Sequence, residues 1–258
     1  MRHRNTLRID PILWNKNHLA AVGATVRFGL ELPTVTPPPD LLAAVVYASP
    51  RAPDFSPLHR DNELEYIART SYDLTTVSPG PQGAEDRRYL CTEMIEKMFY
   101  YLCPCYNFPL YPLQLRYHDL AVRWEPRGLV GSHFWLVTPK RRAPDFAEEA
   151  AYVLSIAQEF MAEGEEDFDV WLVSMRAGHA AVIKATVASS LLDALEAHSA
   201  EIEAPVGPSG ALRMEVSKEF RIADGSERVK FLEILVGLAR MASAMRDSDD
   251  ESVEAASW

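Results

Sequence analysis

From residue 85 to residue 246, segments with helical spacing of apolar residues alternate with segments typical of β-strands. In chain order we expect a helix (85–103), two strands (113–124 and 132–138), a helix (145–162) and two further strands (168–175 and 180–187). A helix (189–202), a strand (211–222) and a last helix from residue 226 onward follow. Helices and strands bury their apolar sides by packing on one another. This order therefore predicts an α/β (α+β) core, a small mixed sheet flanked by helices.

The first 84 residues are interrupted by proline, most densely in TVTPPPD (34–40) and SPRAPDFSP (49–57). Residues 18–32 partly alternate and contain β-branched residues, which favours a strand, whereas 63–77 fits a strand or a helix. We therefore expect a proline-rich N-terminal β region, made of strand and loop, that packs on the core. Whether it forms a separate domain stays open at this point.

The composition of the 258-residue chain, 48% of it hydrophobic, is that of a folded protein. No stretch approaches the roughly 20 apolar residues that span a membrane, and the N-terminus lacks the apolar run of a secretory signal. We expect an intracellular, soluble protein without a membrane partner. The cysteines, Cys91, Cys103 and Cys105, are too few for a disulfide framework and are interpreted as reduced thiols.

Charge is distributed unevenly along this chain, whose formal net charge is -11. The last twelve residues (247–258) hold five acids and no base, which predicts an acidic, disordered tail after the core (85–246). Residues 116–142, in contrast, hold six bases and two acids. The six bases are the predicted binding residues: Arg116, Arg123, Arg127, Lys140, Arg141 and Arg142. Such a basic segment can contact phosphates although the whole chain repels nucleic acid.

The order of segments over about residues 85–187 resembles the core of the PD-(D/E)XK nuclease-like superfamily. In that family a strand carrying a metal-binding Asp follows a helix, and the next strand carries Glu-x-Lys. Here His118-Asp119 stands in place of the family's Pro-Asp, and Thr138-Pro139-Lys140 stands in place of Glu-x-Lys.

The resemblance implies that Asp119 would hold Mg²⁺ and that Asp119 and Lys140 would be the catalytic residues. Mg²⁺ prefers oxygen ligands, and it lowers the pKa of a bound water that attacks the phosphate. Thr138 takes the place of the family's second carboxylate, and a hydroxyl is a poorer ligand. The chain therefore resembles a degenerate member, a pseudoenzyme, unless Glu96 or Glu125 supplies a displaced carboxylate.

Three functions remain open on these observations. The preferred one is a non-catalytic interaction protein without a cofactor; its partner is a protein, or a nucleic acid bound through residues 116–142. The second is a metal-dependent phosphodiesterase or nuclease with a displaced carboxylate and Mg²⁺. The third is an accessory protein with a small-molecule pocket. The sequence contains no P-loop, G-x-G-x-x-G or G-x-S-x-G motif that would favour another class.

Overall fold

The structure, a computed structural model, describes residues 14–47, 62–77, 80–103, 113–117, 120–124, 127–130, 134–139, 145–162, 164–176, 178–197 and 209–255. For the described residues between 113 and 130 and from residue 245 onward, the structure describes the backbone alone.

The described residues form seven helices and nine strands. The helices are α1 (Lys16–Ala21), α2 (Pro39–Val45), α3 (Asn62–Thr76), α4 (Pro81–Leu102), α5 (Ala147–Phe160), α6 (Ser189–Ala197) and α7 (Gly225–Ala255). The strands are β1 (Ala24–Phe28), β2 (Leu113–Tyr117), β3 (Leu120–Trp124), β4 (Arg127–Val130), β5 (Phe134–Val137), β6 (Asp167–Arg176), β7 (His179–Ala188), β8 (Leu212–Val216) and β9 (Phe220–Arg221).

Seven of these strands form one mixed sheet in the order β4-β5-β6-β7-β8-β1, and β9 pairs with the beginning of β7. The pairs β5–β6 and β1–β8 are parallel, whereas β4–β5, β6–β7, β7–β8 and β7–β9 are antiparallel. Strands β1, β5, β6 and β8 therefore run in the same direction and end at one side of the sheet, which we call the carboxyl edge.

The longest pairing is the predicted hairpin of β6 and β7. It runs without interruption from the pair Asp167–Ala188 to the pair Arg176–His179. Gly178, in the connection, has a φ of 82°, a backbone conformation that favours glycine. The apolar runs and the glycine turn thus confirm the prediction of a hairpin here.

Helices cover both faces of the sheet. Alternate side chains of a strand point to opposite faces, so Trp135 and Val137 of β5 join the core formed with α1, α5 and α6. Phe134 and Leu136 join the core formed with α2, α3, α4 and α7. The predicted architecture, a mixed sheet flanked by helices, is confirmed.

The N-terminal region contributes one strand to the sheet, and its other described elements are helices. Strand β1 pairs with β8, which confirms a strand inside the segment 18–32, but residues 18–21 of that segment belong to helix α1. The ambiguous segment 63–77 is helical, because Leu64, Ile67 and Leu74 lie at helical spacing and are buried against the second core.

Two element predictions were wrong. The segment 113–124 is two strands, β2 and β3, which pair antiparallel with each other up to Tyr117–Leu120. The segment 211–222 is likewise divided into β8 and β9, which both pair with β7. Period-2 alternation continues through a tight connection, so the sequence pattern alone does not show where a strand reverses or breaks.

The C-terminal segment also differs from its expectation, because residues 247–255, predicted as a disordered tail, continue α7. Adding residues to an existing helix gains one hydrogen bond for each residue fixed, which is easier than starting a helix. With 31 residues α7 is long, but neither it nor another helix in the described part of the chain is long and apolar enough to cross a membrane.

Gly237 lets the segment before α2 lie directly on α7. Val35 N–H donates to Glu233 O at 3.1 Å, and a Cβ on Gly237 would lie 2.4 Å from Pro33 O. We expect Gly237→Ala to lower the free energy of unfolding by about 1–3 kcal/mol, although alanine favours a helix by about 1 kcal/mol. Urea denaturation measures this change.

The matched control is Gly225→Ala at the start of the same helix, where the nearest atom to a new Cβ is 3.9 Å away. Equal stability changes in the two variants would contradict the close approach of Pro33 to α7.

Candidate functional site

The predicted site residues have no described side chains. Four of them lie outside the described residues: Asp119, Lys140, Arg141 and Arg142. Three lie on strands whose backbone alone is described: Arg116 on β2, Arg123 on β3 and Arg127 on β4. The metal site and the basic binding segment therefore stay predictions.

The backbone does show which strands are neighbours. The resemblance implies that the strand of Asp119 lies beside the strand of Thr138. In the structure β3 pairs with β2 in a separate two-stranded sheet, and the neighbours of β5 are β4 and β6. Thr138 follows the end of β5 and is exposed, and Glu96 lies on α4. Within the described ranges, no group of three or more His, Cys, Asp and Glu residues is arranged to hold a metal ion.

A buried ionic cluster lies at the carboxyl edge, where β6 ends against the first turn of α5. The side chains of Arg176 and Glu149 are 2% and 1% exposed, and Arg176 Nε lies 3.0 Å from Glu149 Oε1. Ser174 Oγ donates to the same oxygen at 2.8 Å. Arg176 Nη1 also contacts Glu219 Oε1, 3.3 Å away, in the segment between β8 and β9. The cluster thus joins three segments that are distant in sequence.

Strand alternation and one unusual backbone conformation position this cluster. Val173 and Met175 point to the second core, so Ser174 and Arg176 point to the opposite face, where α5 lies. Phe146, just before α5, adopts a left-handed conformation with a φ of 55°. Its buried ring lies 4.1 Å from the Arg176 guanidinium carbon. This cation–π contact fixes the guanidinium against the start of the helix.

Burial changes the acid–base behaviour of Glu149. Removal from water raises its pKa to about 7, although the Arg176 charge and the Ser174 hydrogen bond act in the opposite direction. The neighbouring Glu148 raises this pKa slightly further. Arg176 Nε, although close to Glu149, is not aligned for a hydrogen bond, and Nη2 has no hydrogen-bond partner among the described residues. The cluster is therefore tightly packed but incompletely hydrogen-bonded.

Phe28 lies on the solvent side of this cluster. It ends β1 at the carboxyl edge and is 69% exposed, more than the other exposed large hydrophobic side chains of the described residues, Val46 and Tyr89. The centroid of its ring lies 5.9 Å from that of Phe146. A continuous series of contacts, from Phe28 through Phe146 to Arg176, thus leads from solvent to the buried ion pair. We call it the Phe28 corner; its residues are Phe28, Phe146, Glu149, Ser174, Arg176 and Glu219.

The sequence contained weak signals for these residues. Arg176 ends an otherwise apolar strand, VWLVSMR, and Glu149 lies in an alanine-rich helix among buried positions. Acids in the first turn of a helix are usually explained by their interaction with the helix dipole, so the sequence did not identify Glu149 as a member of a buried ion pair. Phe28 looked like any apolar strand residue, since the sequence does not show that β1 is an edge strand.

Two grooves are relevant to the alternative function of an accessory protein with a small-molecule pocket. One, of about 560 Å³, lies between the proline-rich segment before α2 and α7, lined by Pro38, Leu102 and Arg240 among others. The other, of about 450 Å³, lies between α5 and α6 and is lined partly by Glu165, Glu166 and Asp193. Neither includes a residue of the Phe28 corner, so neither forms a ligand cavity at the buried ion pair.

Comparisons of the chain with protein-family models, with curated proteins and with solved structures found no match. The functional argument therefore starts from the geometry of the Phe28 corner.

Proposed function

We propose that this chain is a non-catalytic, intracellular interaction protein that binds a protein partner at the Phe28 corner. The α/β core, with the nuclease-like order of segments over about 85–187, serves as its scaffold. The observation that carries the proposal is the exposed ring of Phe28, which packs at a tilt of 60° against the buried ring of Phe146.

An exposed aromatic ring that packs on an ordered, buried ring has the properties of an anchor residue in a protein interface. Fully burying a phenylalanine side chain contributes about 1.5–3 kcal/mol. Aromatic residues are enriched among the residues that dominate binding energy. An interface that covers Phe28 would gain most of this energy, because more than two thirds of the side chain is exposed before binding.

The residues that support the ring of Phe28 are already ordered. Phe146 is buried, and Arg176 is held between Phe146, Glu149 and Glu219. Binding to such a surface requires less ordering of side chains than binding to a mobile one, which favours affinity. We assign the buried ion pair to this supporting role because both of its side chains are shielded from solvent.

A protein partner fits this corner better than a nucleic acid does. The described groups that form ion pairs with Arg176 are the carboxyls of Glu149 and Glu219, and the formal net charge of the chain is -11. Binding to nucleic acid depends on cations that neutralise phosphates. Arg27 and Lys218 are the exposed cations next to residues of the corner in sequence. Most of the cations would therefore have to come from residues 116–142, so a nucleic-acid partner is the alternative outcome of the test.

Site-specific photocrosslinking tests the proposal. A benzophenone amino acid replaces Phe28 in the full chain, or replaces Tyr89 on α4 as the matched control, since Tyr89 is 58% exposed. We expect discrete protein adducts in cells from position 28 and none of the same mass from position 89, because only the first lies at the corner. The adducts are identified by mass spectrometry.

Two results would contradict this proposal. Identical adducts from both positions, or none from position 28, would remove the corner as a binding site. Adducts from position 28 that disappear on nuclease treatment would replace the protein partner by a nucleic acid.

A further inference from the structure

The outer side of β1 carries backbone groups that point away from the sheet. Gly29 N–H donates to Val216 O at 2.9 Å, toward β8. The hydrogen-bonding groups of alternate residues face the same side of a strand, so those of Thr25 and Arg27 also face β8. Those of Ala24, Val26 and Phe28 therefore face outward, and no strand among the described residues pairs with them.

This edge has few of the usual features that prevent pairing with another chain. Edge strands are commonly protected by proline, by lysine, by a bulge or by an inward-pointing charge. Strand β1, ATVRF, has no proline or lysine and contains one charged residue, Arg27, and its pairing with β8 is continuous over five residues. Ala24 and Val26 pack partly against the first core, and Phe28 lies on Phe146 of that core. An added strand would extend this apolar surface.

We infer that the outer edge of β1 pairs with β1 of a second copy of this chain, antiparallel and about a two-fold axis at Val26. The inference rests on the proposed function and names the protein partner of the Phe28 corner. The result would be one sheet that continues through two subunits, with the same surface used by both.

The sequence of β1 is complementary to itself in this register. When all five residues pair, Val26 lies opposite Val26 of the second copy, and Phe28 lies opposite Ala24. Each of these pairs uses outward-facing groups, so it exchanges two hydrogen bonds. The small side chain of Ala24 leaves room for the ring of Phe28 on the same face. On the opposite face Arg27 lies opposite Thr25, so equal charges are not placed against each other.

A second copy is therefore a specific occupant of this edge. When β1 pairs with itself in this register, the small Ala24 lies opposite the large Phe28 at both ends, and Val26 lies opposite Val26 at the centre. A strand from another protein would have to supply a small residue opposite Phe28 and an uncharged residue opposite Arg27.

Analytical ultracentrifugation of the purified full chain over a range of concentrations tests the inference. We expect a concentration-dependent equilibrium between monomer and dimer. Phe28→Asp places two buried carboxylates in the interface, and Val26→Pro removes one outward N–H from each subunit without affecting the bonds to β8. Each variant should raise the dissociation constant at least about ten-fold.

The matched control is Val46→Asp, an equally drastic change at an exposed apolar residue at the end of α2, which should leave the dissociation constant unchanged. Circular dichroism confirms that each variant is folded. A wild-type chain that stays monomeric at every concentration would overturn the inference, and so would a dimer that both β1 variants leave intact.

Photocrosslinking at position 28 separates this inference from the proposed function. Adducts of twice the monomer mass support both. Adducts with a different protein, together with a monomeric chain, support the proposed function and overturn the second copy. Absence of any adduct and of any dimer overturns both.

Discussion

Replacing Arg176 by methionine is expected to lower the free energy of unfolding by about 3–5 kcal/mol at pH 8, because it leaves the buried carboxyl of Glu149 without its cation. Methionine has a similar length and is apolar, so most of the packing against Phe146 is retained. Ser174 still donates to Glu149, but one hydroxyl does not replace a charge.

The pH dependence of this loss has a definite sign. The pKa of Glu149 is raised from its ordinary 4.5 to about 7, so between these values the folded chain holds a proton that the unfolded chain releases. Stability from this carboxyl therefore falls as pH rises from about 4.5 to about 7 and is constant above that range. Without Arg176 the pKa rises further, so the fall continues above pH 7. The cost of the substitution is smallest near pH 5, where the carboxyl is protonated in the folded chain.

Urea denaturation between pH 5 and pH 8 measures the effect. The control is the double variant Glu149→Gln/Arg176→Met, in which the amide does not titrate and the pH dependence of this pair disappears. If Arg176→Met shifted stability equally at every pH, the guanidinium would act through packing alone.

Replacing Arg228 by methionine is expected to cost about 3–5 kcal/mol as well, for a different reason. This residue is 3% exposed, and its guanidinium joins α2, α3 and the residue that follows β9. Nε donates to Val45 O at 3.0 Å, Nη1 to Ile222 O at 3.1 Å and Nη2 to Ser71 Oγ at 3.0 Å. Val45 O still accepts from Ser71, but Ile222 O would lose this donor inside the protein.

The matched control for Arg228 is Arg240→Met, since Arg240 lies on the same helix and is exposed. We expect this control to change stability by less than about 0.5 kcal/mol in urea denaturation. A similarly small change for Arg228→Met would show that the three hydrogen bonds contribute little beyond those that water makes with the unfolded chain.

Local pattern was sufficient for much of the fold. The helix α5, the hairpin of β6 and β7 and the sheet with helices on both sides follow from spacing, apolar runs and a glycine turn. Strand order was not accessible in this way, because pairing depends on contacts between segments that lie far apart in sequence. The reversal between β2 and β3 was missed because both strands show the same alternation.

The candidate site was only partly accessible to sequence reasoning. The segment Thr138-Pro139-Lys140 was expected at the end of a strand, and Thr138 does follow β5 at the carboxyl edge. The pairing of Arg176 with Glu149 was not predicted, since a buried ion pair joins residues with no fixed spacing in sequence. Phe28 became a candidate only when strand order placed β1 at the end of the sheet.

The position of β1 also determines when the sheet is completed during protein synthesis. Ala24 pairs with Leu212, so β1 stays without its neighbour until the residues up to β8 have left the ribosome. Long-range pairings of this kind form slowly, and unpaired apolar strands expose the nascent chain to aggregation. Completion of this sheet is therefore a late step of folding, and until β8 has been synthesised the apolar side chains of β1 have no strand partner within the sheet.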